Sequence, residues 1–226
     1  NEINFETRSS LSSKAFGHTA QYDTIIHNYL KESNLSRDFT LTYSKHSDMR
    51  YGENPHQAAA AFQIPGDKSN GILNAKIHQG KKLSYNNIMD ADAALSCLKE
   101  FKSTACVIVK HANPCGVALG TNMLDVYKRA FAADSISAFG GIIAINQPCD
   151  DILAEEISKV FVEIVLAPAF TKKSLDILSK KKNLRVLEVG NIDKREQLLE
   201  VRNIVGGVIV QETDTSILSS SELKTV

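Results

Sequence analysis

Residues 105–120, "ACVIVKHANPCGVALG", settle what kind of fold this chain adopts. Ala105 to Val109 form an unbroken apolar run, the pattern of a strand covered on both faces. The run ends on Lys110 and His111, after which Asn113-Pro114 and Gly116 supply residues that turn a chain. Adjacent residues of an extended strand point to opposite faces, so Lys110 and His111 can serve one site only if the chain leaves strand geometry there. A strand buried on both sides belongs to a layered α/β protein. In open sheets of that class, ligands bind outside the carboxyl ends of strands, and Lys110 stands at such an end.

The flanking sequence alternates accordingly. "NNIMDADAALSCLKEF" (86–101) places Ile88, Ala91, Leu95 and Leu98 on one helical face. "TNMLDVYKRAFAAD" (121–134) opens with Thr121 as a cap and carries Met123, Val126, Tyr127, Ala130 and Phe131 at helical spacing. "GGIIAIN", "EIVLAP", "LRVLEV" and "GGVIVQ" predict strands, and "DDILAEEISKVF" and "TKKSLDILSKKK" predict helices. Upstream, Tyr22, Ile25, Ile26, Tyr29 and Leu30 form the apolar stripe of a helix over 11–32. A polar linker over 31–38 follows, and then "FTLTY" (39–43), which alternates as a strand. That first helix must bury its stripe on later chain or on a domain that is not here.

Composition excludes several classes. The chain has 226 residues, with 26 basic and 26 acidic side chains, so nothing favours nucleic acid or an anionic membrane surface. No apolar run reaches the ~18–20 residues of a membrane span, and the N-terminus lacks a signal-peptide pattern. Cys97, Cys106, Cys115 and Cys149 form no CxxC pair, so free thiols in a cytoplasmic chain are expected.

Three stretches carry chemistry. In "KHANPCG" a cation beside the imidazole, in a partly dry pocket, would favour the neutral base form that proton abstraction needs. The lysine could then hold developing negative charge. A solvated Lys–His pair in a loop is the plainer alternative. The zinc-deaminase pattern H-x-E…P-C-x-x-C is only echoed: Asn113 stands where the glutamate would, and Cys115 lacks a second cysteine three residues on, so no metal is expected. In "MRYGENPHQ" (49–57) Arg50 offers a fork for phosphate and Tyr51 a ring for a flat heterocycle, on a turn made by Gly52 and Asn54-Pro55. His56 there is better read as a hydrogen bond within the turn, and the whole stretch could be a polar surface turn. Gly140-Gly141, before "IIAIN", allows close approach of backbone to a ligand or simply makes a turn. No P-loop or dinucleotide fingerprint is present.

"RYGENPHQ", "LSYNNIMDADAA", "VKHANPCGVA" and "SAFGG", in this order, resemble the bifunctional purine-biosynthesis enzymes that join AICAR transformylase to IMP cyclohydrolase. "KAFGHTAQYD" (14–23) is similar to the last helix of the cyclohydrolase part. The resemblance implies formyl transfer from 10-formyltetrahydrofolate, a co-substrate, to the amine of AICAR, giving FAICAR, which the second activity closes to IMP. It implies that His111 is the base and Lys110 the stabiliser of the oxyanion. Arg50, Tyr51, Asn87, Gly140 and Glu163 become substrate contacts. It further implies a cytidine-deaminase-like three-layer α/β fold with flanking helices, preceded by a helix left over from the upstream domain. Residues 1–40 would then be that helix plus linker, and 41–226 the first deaminase-like half of the transformylase domain. A homodimer and an incomplete, weakly active or inactive fragment are expected on the same basis. The rival reading, a non-catalytic nucleotide-binding or dimerisation module, stays open, and a deaminase-type metal hydrolase would need stoichiometric zinc.

Overall fold

The computed structural model describes residues 3–192 and 199–216. In chain order the elements are α1 (Phe5–Leu30), β1 (Ser44–Asp48), β2 (Ala60–Gln63), β3 (Lys76–Gln79), α2 (Tyr85–Leu98), β4 (Thr104–Lys110) and β5 (Asn113–Gly120). There follow α3 (Met123–Ala133), α4 (Ser135–Ala138), β6 (Ile142–Ile145), α5 (Asp151–Ser158), β7 (Ile164–Ala167), α6 (Lys172–Leu178), β8 (Arg185–Glu188), β9 (Leu199–Ile204) and β10 (Gly207–Glu212). They fall into two compact units. One gathers 3–46, 62–67 and 199–216, and the other 47–61 and 68–192.

The larger unit is built on a six-stranded sheet of order β3-β8-β7-β6-β4-β5. β6, β7 and β8 are parallel, whereas β4 runs against β6, β5 against β4 and β3 against β8. Period-two alternation sends each strand's side chains to two different cores. Cys106 and Ile108, Ile143 and Ile145, Val165 and Ala167, with Val186, pack beside Val126 and Ala130 of α3, Leu153 and Ile157 of α5 and Leu178 of α6. Ala105, Val107 and Val109, Ile142 and Ala144, Ile164 and Leu166, with Leu187, pack beside Ala91, Ala94, Leu95 and Leu98 of α2. The central strands are apolar without interruption because both faces are covered. Each fully buried aliphatic side chain there contributes about 1.5–3 kcal/mol. The class is therefore mixed α/β, a sheet with helices on both faces.

Three expectations are corrected in this unit. Asn113–Gly120, expected as the break after β4, is itself a strand. β5 lies at the sheet edge, where the missing amide of Pro114 costs no ladder bond. A register shift between Ile108 and Val109 leaves Cys115 as the extra residue. Gly116 is needed for packing rather than turning, since a Cβ there would stand 2.0 Å from the Ala130 carbonyl oxygen of α3. The cap of α3 is Asn122, not Thr121: the Asn122 side chain accepts from the Asp125 amide. Finally, Lys110 does close a strand at its carboxyl end, but antiparallel pairing sets it beside the amino ends of β6, β7 and β8. The register runs Val109–Ile142–Ile164–Arg185 across the sheet.

In the smaller unit α1 begins at Phe5, capped by Asn4, earlier than the apolar stripe indicates. None of its residues is buried, and Tyr22 and Tyr29 are 60% and 86% exposed. Phe39–Tyr43 does not form the expected strand. Its carbonyls are taken locally, Thr40 O by the Asn28 amide at 3.1 Å and the neighbouring Asp38 O by the His27 ring at 3.1 Å. Leu41 and Tyr43 then line a cavity of about 340 Å³ with Ile25, Ile64 and Pro65. The strand β1 starts only at Ser44 and pairs with β2 in a two-stranded ribbon. β9 and β10 form an antiparallel hairpin, of which only the second strand was expected. Among the described residues no helix is long and apolar enough to cross a membrane.

Candidate functional site

The register just described gathers Lys110, Gly140, Glu163 and Arg185 along one end of the sheet. The tip of the β4–β5 hairpin is the unusual feature there. Lys110 pairs with Asn113 across a two-residue turn whose members, His111 and Ala112, both have positive φ, 54° and 58°. Two positive φ values in a two-residue loop define a type I′ turn, which normally uses Asn-Gly or Gly-Gly. For residues with a Cβ this conformation costs about 1–2 kcal/mol each. Side chains hold the turn in place. The Asp90 carboxylate of α2 accepts from the Ala112 amide at 2.8 Å, and the Asn113 amide donates to His111 O at 2.9 Å. His111 is exposed at the apex. The chain does leave strand geometry between Lys110 and His111, but two residues earlier than Asn113-Pro114.

Lys110 reaches the other way along the sheet end. Its ammonium donates to Phe139 O at 2.9 Å. Gly140 follows with φ of 70°, a conformation that favours glycine, and a Cβ there would lie 3.0 Å from the Lys110 nitrogen. The Gly140 amide donates to Phe161 O at 2.8 Å, and the rings of Phe139 and Phe161 stand 5.3 Å apart as an exposed tilted pair. Just ahead of these, Asp134 caps α4 by accepting from the Ser137 amide and hydroxyl, which holds its carboxyl below the usual carboxylate range.

Glu163 and Asn87 meet directly. Asn87 sits at the third position of α2 and completes a capping box with Ser84, its Oδ1 accepting from the Ser84 amide at 3.2 Å. Its Nδ2 is left pointing at Glu163 Oε2, 3.5 Å away. Glu163 Oε2 also accepts from Arg185 Nη1 at 2.8 Å. Asn87 is only 8% exposed, so its part is to hold helix and glutamate more than to present itself.

The Arg50–Tyr51 turn follows β1 and is self-contained. The guanidinium carbon lies 5.4 Å from the Tyr51 ring centroid. Gly52 N donates to Gln57 O at 2.8 Å, and Asn54 N donates to Gln57 Oε1 at 2.7 Å. The described contacts of Arg50 and Tyr51 lie within this turn, and none joins it to the hairpin tip. Among the described residues no group of three His, Cys, Asp or Glu could hold a metal ion. Burial pushes the Cys115 thiol up, and the sulfur donates to Ile108 O, so it stays protonated beside the hairpin.

Sequence reasoning named Lys110, His111, Gly140, Glu163 and Asn87, which this end of the sheet brings together. It missed Asp90 and Arg185. One signal for Arg185 was present: "EIVLA" and "RVL" are buried runs that each open on a charge, of opposite sign. Asp90 carries no such mark, because its partner is a backbone amide in another element.

A family model, AICARFT/IMPCHase bienzyme, matches residues 1–226. The bifunctional purine biosynthesis protein PurH of Leuconostoc mesenteroides is 49% identical over 213 residues, covering 94% of this chain and 42% of that protein. PurH of Bacillus cereus is 46% identical over 226 residues, 98% of this chain and 44% of that protein. This chain thus spans less than half the length of these relatives. Among solved structures, RibD of Acinetobacter baumannii aligns with a TM-score of 0.32 at 18% identity, over 43% of this chain and 33% of that one. Identity near one half across almost every residue is decisive, and the chain belongs to the AICARFT/IMPCHase bienzyme family.

Proposed function

We propose that the end of the sheet bearing Lys110, His111, Gly140 and Glu163 binds AICAR and serves formyl transfer from 10-formyltetrahydrofolate to its amine. The product is FAICAR, which the cyclohydrolase activity in the name of the family would close to IMP. One observation carries the reading: a strained type I′ turn, clamped by Asp90, puts an imidazole at the apex of the hairpin next to a lysine bonded to the Phe139 carbonyl. Strain of that kind persists where surrounding structure over-determines it, as at sites that work.

His111 removes the proton from the weakly nucleophilic aromatic amine as its nitrogen bonds to the formyl carbon. Such a base supplies ~10²–10⁴-fold. Lys110 spends one N–H on Phe139 O and keeps two for the oxyanion that develops on the formyl oxygen. The bond from the formyl carbon to the folate nitrogen then breaks, and that nitrogen leaves with a proton. Glu163 accepts from donors on the nucleotide, with Asn87 bracing it. Arg50 and Tyr51 hold phosphate and ring. We assign 1–40 to the end of a cyclohydrolase domain and 41–226 to a cytidine-deaminase-like half of the transformylase domain, working as a homodimer. Because the chain spans under half the length of its PurH relatives, formyl transfer by it alone is expected to be weak or absent.

The test replaces His111 and Lys110 by alanine, one at a time, in a protein carrying both activities. Formyl transfer should fall at least 100-fold in each, with cyclohydrolase rate intact. Equal loss of both activities would reduce the pair to a folding role. Lys110 bonded to a carbonyl is also what a non-catalytic nucleotide-binding module would show. AICAR binding by this chain with no formyl transfer, even when the remainder of a PurH relative is supplied in trans, would favour that module.

A further inference from the structure

Glu163 immediately precedes β7 and Arg185 opens the adjacent parallel β8, with Ile164 opposite Arg185. The arginine holds the glutamate twice, its amide donating to Glu163 O at 3.0 Å and its Nη1 to Glu163 Oε2 at 2.8 Å. Asn87 aims at the same Oε2. All described side-chain donors thus fall on one carboxylate oxygen, and Oε1 remains for whatever approaches from outside. Exposure divides the pair in the same sense: the Arg185 side chain is 13% exposed and that of Glu163 39%. The arginine is the more withdrawn of the two, with its Nε buried. Gly80 packs against the same arginine, and its φ of 101° and the 2.8 Å that would separate a Cβ from Leu184 O require a glycine there.

We propose that Arg185 is a positioning residue that holds Glu163 so that Oε1 accepts a hydrogen bond from a hydroxyl or amine of the bound nucleotide. The inference rests on the reading of this sheet end as the AICAR site. An ionised carboxylate only accepts, so the group it meets is a donor, and a phosphate would be repelled from it. Truncating the arginine leaves the glutamate free to take other rotamers, and a nucleotide then has to order it on binding.

The experiment is calorimetric titration of AICAR into the full 226-residue chain and its variants, with thermal melting to confirm folding. Glu163→Gln and Arg185→Ala should each weaken binding about tenfold, and the double variant no more than Glu163→Gln alone. Arg185→Lys should recover part of the loss, which a purely structural role would not produce at equal melting temperature. If Arg185→Ala does not fold, Arg185→Lys and Arg185→Gln carry the same cycle with Glu163→Gln. Independent, multiplying losses would overturn the proposal, as would Glu163→Gln weakening binding while the Arg185 variants bind normally. Lys110→Ala and Arg50→Ala separate the levels. If these weaken binding and Glu163→Gln does not, the inference alone fails. If the wild-type chain does not bind AICAR, the reading beneath it fails and the inference with it.

Discussion

The two turns that carry candidate residues, His111–Ala112 and Arg50–Asn54, are held in opposite ways. The first has two residues in left-handed backbone that their side chains disfavour, and it is kept there by Asp90, 22 residues away on α2. The second is closed by its own Gln57, whose side chain accepts from the Asn54 amide and whose carbonyl accepts from the Gly52 amide. A turn satisfied by its own residues forms wherever the chain puts it. A turn kept against its preference by another element has its position dictated by the fold, and that is the property a catalytic tip requires.

Gly116→Ala should show the largest effect, about 3 kcal/mol in urea unfolding, because the new methyl meets a backbone oxygen that cannot swing aside. A small loss would mean that the hairpin floats on α3 and that its tip is not rigidly placed. Next, Asp90→Ala should cost about 1–2 kcal/mol, whereas Asp90→Asn keeps an acceptor and should cost less. Equal losses would break the contrast between the two turns. Ala112→Gly relieves the strain at φ 58° and should stabilise by up to about 1 kcal/mol, most clearly in the Asp90→Ala background. Gln57→Ala, in the self-closed and exposed turn, should cost about 0.5–1 kcal/mol and leave the hairpin's amide exchange unchanged. The smallest effect concerns acid. The Asp134 carboxyl is held below its ordinary value by Ser137, so its contribution to the α4 cap is present above the unfolded value and is lost as pH falls through the lower folded one. Ser137 amide exchange should therefore quicken only below about pH 4, and no change there would remove Asp134 from the account.

Much of the larger unit was legible because its elements are locally periodic. Ile88, Ala91, Leu95 and Leu98 share a helical face, and the runs at 105–109, 142–145 and 164–167 are apolar because both sheet faces are covered. β5 was not legible. Proline and glycine read as a break unless the strand is known to be an edge with a helix pressed against it. β3 escaped for a related reason: "KIHQ" is a short edge strand with no buried residue to set a period. Asn87 was found as a motif residue, but its capping bond to Ser84 and its reach to Glu163 depend on a loop and a strand that the motif does not contain.

Sequence alone determined the layer class, the family and the candidates Lys110, His111, Gly140 and Glu163, since periodicity and motifs depend on near neighbours along the chain. Tertiary structure decided where the chain turns, that Lys110 bonds to Phe139, 29 residues on, and that Arg185 grips Glu163 across 22 residues. Those contacts are set by strand register and sheet order, which bring distant residues within 3 Å, and no local pattern encodes that distance.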